Sequence, residues 1–149
     1  MIEGVILTPL KQIVDERGKV MHMMRKDSPI FSTFGEIYFS CTYPGAIKAW
    51  HLHKQMTLNY AAIYGEIKCV LYDDRAGSKT RGCIDEYFLS PKNYFLLTVP
   101  PLIWNGWKGL GVDTSIVANN ASIPHDPSEI IRKDVNDSSI PYDWQTQHK

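Results

Sequence analysis

Ten short runs rich in β-branched and aromatic residues, divided by glycine, proline and polar turns, commit this chain to a β architecture. They span 4–7, 19–24, 36–42, 47–53, 57–64, 66–72, 84–89, 94–99, 103–110 and 114–118. Tyr64-Gly65-Glu66 reads as a tight hairpin connection, and residues 73–82 as a longer polar one. Only 29–34 and 126–133 suit short helices; in the second, Asp126 stands at a capping position and Pro127 at the first helical one. Strands of this length and number build a barrel or two-sheet sandwich of the jelly-roll kind. The 149 residues make one domain, 1–149, without repeat or linker, and are enough to bury a real core.

Charge narrows the function. Sixteen basic residues balance sixteen acidic ones, and no basic stripe stands out, so nucleic acid is not an expected partner. No apolar run is long enough to cross a membrane as a helix, and no signal-like segment opens the chain, so a soluble cytoplasmic protein is expected. Cys41, Cys69 and Cys83 have no metal-like spacing. Cys41 and Cys69 fall in apolar runs, where buried reduced thiols are expected.

The chemistry concentrates between Gly45 and Lys54. His51 and His53 lie two apart in a predicted strand, so both imidazoles share one face, flanked by Lys48 and Lys54. At the mouth of a small barrel that face would line a pocket. A metal site would need a carboxylate where Thr57 and Leu58 stand and a third imidazole where Asn105 stands, so no metal is expected. The pattern suits a general base working near neutral pH. A proton taken from carbon beside a carbonyl leaves an enolate, which needs a hydrogen-bond donor on its oxygen. Lys48, Lys54, Asn59, Tyr60 and Asn105 are the candidate donors. Asp143, Asp126 and Glu36 are the carboxylates that could orient His51.

These residues resemble the dTDP-4-dehydrorhamnose 3,5-epimerase family of cupin-fold nucleotide-sugar enzymes, over nearly the whole chain. Asp15-Glu16-Arg17-Gly18 is similar to the family's Asp-x-Arg-Gly, and Lys48-Ala49-Trp50-His51 stands where the family has Arg-Gly-Leu-His. Gly65-Glu66, Tyr72-Asp73-Asp74-Arg75 and Ser78-x-Thr80-x-Gly82 follow in family order. So do Leu89-Ser90-x-x-Asn93 and Pro100-Pro101, then Asn105-Gly106-Trp107 and the close from Ile140 to Trp144. The resemblance implies a jelly-roll cupin, a homodimer and a nucleotide-linked 4-keto-6-deoxy sugar as substrate. It implies His51 as catalytic base and no cofactor. It also implies substrate contacts from Arg17, Glu36, Tyr38 and Lys48; His53, Asn59, Asn105 and Trp107 are expected to join them on their own chemistry, as polar or stacking groups on or near the same strands.

The chain departs from the family where further chemistry is expected. Leu58 stands at the family's catalytic lysine, Val117 near its tyrosine acid, and Asn105 at its second motif histidine. The base's partner aspartate belongs to a C-terminal extension absent from these 149 residues. Lys54 and Tyr60 are the expected replacements for the lysine and tyrosine. The reading is an epimerase at C3, C5 or both; the same enolate can also give a keto-isomer. The alternative from another class is a sugar-nucleotide-binding module without catalysis, with Trp50, Trp104 and Trp107 as stacking faces.

Overall fold

In the computed structural model, which describes residues 1–146, the alternating runs become two facing five-stranded antiparallel sheets. The first orders β1 (Ile6–Pro9), β9 (Phe95–Val99), β6 (Leu58–Tyr64), β11 (Ser115–Ala121) and β4 (Glu36–Thr42). The second orders β12 (Ile130–Arg132), β5 (Ile47–His53), β10 (Trp104–Leu110), β7 (Glu66–Tyr72) and β8 (Ile84–Leu89). A separate hairpin joins β2 (Gln12–Asp15) to β3 (Gly18–Met21). This is the expected jelly-roll sandwich.

The core forms because alternate residues of each strand turn inward. Leu58, Ile67, Leu71, Leu97 and Val99 interdigitate between the sheets with little or no exposure. A second cluster covers the back of β5. There Trp50, Leu52, Val70 and Trp104 pack under the C-terminal segment through Ile140 and Trp144. Trp50 and Trp144 lie 5.0 Å apart between ring centroids. This second cluster packs on the outward face of β5, which leaves its inward face to the sandwich interior.

Three local expectations are corrected. Residues 29–34 form turn and coil, not helix. The start signal at Asp126 is real, since its Oδ1 accepts from the Ser128 amide at 2.9 Å, but the helix lasts one 3-10 turn, Pro127–Glu129. The β-branched pair Ile130-Ile131 then leaves it for β12, which pairs with the open edge of β5. Cys41, expected buried, is exposed, because β4 is an edge strand and residue 41 falls on its outer face. Cys69 is buried as expected, and burial pushes its thiol up to about 12.

Candidate active site

One end of the sandwich interior stays open as a cavity of about 610 Å³, lined from β5, β4, β6, β10 and β12. Strand alternation brings His51 and His53 to its wall together. Lys48 would face away in a regular strand, being three residues from His51. A bulge corrects this: Asn105 pairs with His51 but Trp107 with Lys48, leaving one extra residue on β5. Lys48 therefore joins His51 in lining the cavity. Gly106 permits the close approach, since a Cβ there would meet the Ala49 Cβ at 2.4 Å.

The two histidines differ in their surroundings. His53 is buried, and its Nδ1 hydrogen-bonds Glu129, itself only 4% exposed. The other carboxylate oxygen of Glu129 accepts from the amides of Gln55 at 3.2 Å and Met56 at 3.3 Å. Burial opposes ionisation of Glu129, but His53 and these amides prevail and hold its carboxyl below the ordinary range. His51 is half-buried, and among the described residues no side chain hydrogen-bonds its ring. Burial, then the charges of Arg132, His53 and Lys48, lower its pKa to about 4. His51 is thus neutral at pH 7 and has a lone pair to offer.

Across the cavity, β4 contributes Glu36, Tyr38 and Ser40 at alternate positions. The Tyr38 hydroxyl accepts from Asn119 Nδ2 at 2.9 Å, and burial raises its pKa, so it keeps its proton and can donate it in a hydrogen bond to a ligand. Lys48 Nζ donates to Ser40 Oγ at 2.9 Å and to the Cys41 carbonyl at 2.6 Å, leaving one of its three protons uncommitted. Trp107 lines the wall and is pinned by its Nε1 donating to Thr42 Oγ1 at 2.9 Å.

The remaining sequence candidates are engaged by other groups or lie outside the cavity. Tyr60 lines the cavity, but it is fully buried and donates to Asn105 Oδ1 at 3.0 Å. Asn105 is also fully buried; its amide donates to the His51 carbonyl at 3.0 Å, so it braces β5 from within the sheet. Lys54 points away from the cavity, because residue 54 falls on the face opposite 51 and 53, and its Nζ donates to the Ser128 carbonyl. Asn59 alternates outward from Tyr60 and bonds the Asn120 carbonyl. Arg17 lies at the tip of the β2–β3 hairpin, 87% exposed and paired with Asp15 at 2.7 Å. Of the carboxylates expected to orient His51, Glu36 lines the cavity and Asp126 caps the 3-10 turn, but neither hydrogen-bonds the imidazole.

Sequence reasoning missed Glu129, Arg132 and His125, all brought to the site by the segment that follows β11. The helix-start signal at Asp126 concealed them; Ile130-Ile131 was the local sign of a strand. Among the described residues no group of three or more His, Cys, Asp or Glu side chains could hold a metal ion.

A family model described as dTDP-4-dehydrorhamnose 3,5-epimerase matches residues 1–149. The chain is 30% identical over 151 residues to a spore coat polysaccharide biosynthesis protein of Bacillus subtilis, covering 100% of both. It is 32% identical to a protein of Haloferax volcanii named a probable low-salt glycan biosynthesis epimerase, covering 95% of this chain and 89% of that one. A crystal structure of a dTDP sugar isomerase from Desulfovibrio desulfuricans superposes with a TM-score of 0.94 at 44% identity, covering 96% of this chain and 92% of the other.

Proposed function

The chain belongs to the dTDP-4-dehydrorhamnose 3,5-epimerase family of sugar epimerases and isomerases, and from that premise we propose that His51 is its catalytic base. The substrate is a nucleotide-linked 4-keto-6-deoxy sugar, epimerised at C3, C5 or both. One observation carries the assignment: a half-buried, neutral imidazole without a side-chain partner among the described residues, facing a sugar-sized cavity. The imidazole takes the proton from the carbon beside the C4 ketone. The C–H electron pair becomes the enolate double bond, and the carbonyl pair moves onto oxygen. Reprotonation of the same carbon from the opposite face gives the epimer. Protonation at a neighbouring position would give the keto-isomer.

Lys48 supplies its uncommitted proton to the diphosphate, as a point charge rather than a bidentate fork. Tyr38 donates to the ligand from β4, with Glu36 beside it. His53 and Trp107 shape the wall. Burial first, and then the neighbouring charges, lower the proton affinity of His51; a bound diphosphate offsets the second of these.

A second reading, a binding module without chemistry, is favoured by one observation: the buried carboxylate supports His53 and leaves His51 unoriented. Proton NMR of dTDP-4-keto-6-deoxy-D-glucose in D2O separates the two. Deuterium at C3 or C5 with the wild type, absent with His51→Asn, supports the base and names the carbon. Binding without exchange supports the module.

The same reading includes a homodimer. The outer face of the edge strand β4 exposes Ile37 and Phe39 at 52% and 59%, an apolar stripe suited to pairing with a second copy. Light scattering should give twice the chain mass for the wild type and a monomer for Phe39→Glu. The cytoplasmic location is supported by the three unpaired cysteines; no helix among the described residues is long and apolar enough to cross a membrane.

A further inference from the structure

We propose that Arg132 is the donor that holds the developing enolate oxygen, in the role left open by Leu58, whose side chain lies in the core. The inference rests on the reading of His51 as base. It begins from the cavity's other donors, most of which are already engaged. The Tyr60 hydroxyl is spent on Asn105, His53 on Glu129, and two protons of Lys48 on β4. Lys54 lies outside the cavity, on Ser128. Leu58 is 1% exposed among apolar neighbours and offers no donor.

Arg132 differs in both position and freedom. In the antiparallel pairing of β12 with β5 it stands directly opposite His51. Residues so placed share a face, with Cβ atoms about 5 Å apart. Its side chain lines the cavity and is exposed, and among the described residues no carboxylate lies within ion-pair distance of it. The guanidinium is close enough to be the leading charge acting on the His51 ring, ahead of His53 and Lys48.

Chemistry then assigns the role. The atom that gains charge is the ketone oxygen, on the carbon next to the one deprotonated, so its donor must stand beside the base. The diphosphate of the substrate is attached a sugar ring away from that oxygen, and Lys48, bonded to Ser40 and the Cys41 carbonyl of β4, is left for it. The backbone that carries Arg132 is also fixed before substrate binds, which limits where its guanidinium can reach. β12 is fixed at one end by the reciprocal Trp50 and Lys133 backbone bonds, both 3.1 Å, and at the other by Lys54 N donating to the Glu129 carbonyl at 2.8 Å. No electron leaves the system: the C–H proton goes to His51, and the guanidinium N–H groups bond the oxygen that receives the charge.

The test compares wild type, Arg132→Gln, Arg132→Lys and His51→Asn on dTDP-4-keto-6-deoxy-D-glucose in D2O, with dTDP affinity measured by calorimetry. Arg132 is exposed, so its variants should fold, which near-neutral thermal melts will check. Arg132→Gln should lose about 100-fold in kcat, the scale of one oxyanion donor, with dTDP affinity unchanged. Arg132→Lys should regain part of that loss. The acid limb of kcat/KM should move upward in Arg132→Gln, which removes a cation from the imidazole, and stay near its wild-type position in Arg132→Lys. An unchanged exchange rate in Arg132→Gln overturns the inference while His51 stands. So does a loss confined to KM and matched by weaker dTDP binding, which would make Arg132 a diphosphate holder. Absence of exchange by the wild type overturns the reading of His51 and this inference together. Exchange by His51→Asn at the wild-type rate overturns the reading of His51 and, with it, the inference that rests on it.

Discussion

Two polar clusters in this molecule match family motifs, and they differ in whether their hydrogen bonds are complete. In the turn between β7 and β8, Asp73 is wholly buried and accepts from the amide, Nε and Nη2 of Arg75, from Ser78 Oγ and from Thr80 Oγ1. Arg75 hydrogen bonding, with help from Ser78 and Thr80 against the cost of burial, holds the Asp73 carboxyl far below the usual range. Arg75 also donates to the Glu3 carbonyl at 2.7 Å, tying down the N-terminal segment. In the cavity, by contrast, among the described residues the His51 ring has no side-chain hydrogen bond and Arg132 has no carboxylate within ion-pair reach. A buried polar group left unpaired is costly, so a cluster that satisfies itself holds a loop together. A cluster that leaves strong donors and acceptors open to a cavity is waiting for a ligand. Motif matching alone ranks the two alike.

Substitutions should separate them. The largest effect is expected from His51→Asn, which should lower turnover by about 1,000-fold, within the range of general-base catalysis, with the melting temperature nearly unchanged. Glu129→Ala should cost about 3 kcal/mol in denaturant unfolding, because it strips a buried histidine and two amides of their shared hydrogen-bond partner. Its activity should fall as well, since the 3-10 turn that leads into β12 loses its anchor. Asp73→Ala should cost about 2 kcal/mol in the same assay and leave the activity of the folded fraction intact. If it abolished turnover without lowering stability, the contrast drawn here would fail.

The smallest effects are in pH. The folded-state pKa of His51 is depressed, from 6.5 to about 4. Between those values the unfolded chain binds a proton that the folded chain does not. The contribution of His51 is therefore fully present above pH 6.5 and lost as pH falls toward 4. In kinetics, the acid limb of kcat/KM, which reports free enzyme, should fall near pH 4. The limb of kcat should lie higher, because bound diphosphate offsets the cations around the ring. Coincident limbs near 6.5 would show that the cavity does not hold the imidazole neutral.

Much of the fold was readable because its determinants are local. The bounds of β4, β5, β7 and β8 follow from alternation and turn residues alone. The sharing of one face by His51 and His53 follows from the period of a strand. The Asp126 cap was read correctly, yet capping starts a helix without setting its length, and Ile130-Ile131 ended this one after a single turn. Lys54 and Asn59 are near the site in sequence only: Lys54 bonds the Ser128 carbonyl outside the cavity, and Asn59 falls on the face of β6 opposite Tyr60.

The sequence by itself determined a β sandwich, a polar turn over residues 73–82 and two imidazoles on one face, since these depend on residues within a few positions of each other. Tertiary structure decided which imidazole would be free. Glu129 meets His53 across 76 residues, and Arg132 comes opposite His51 only through the register of β12 on β5. The extra residue that turns Lys48 inward is likewise a matter of how β10 lies against β5. Such pairings are set by the packing of whole strands, and one residue of slip would exchange every face.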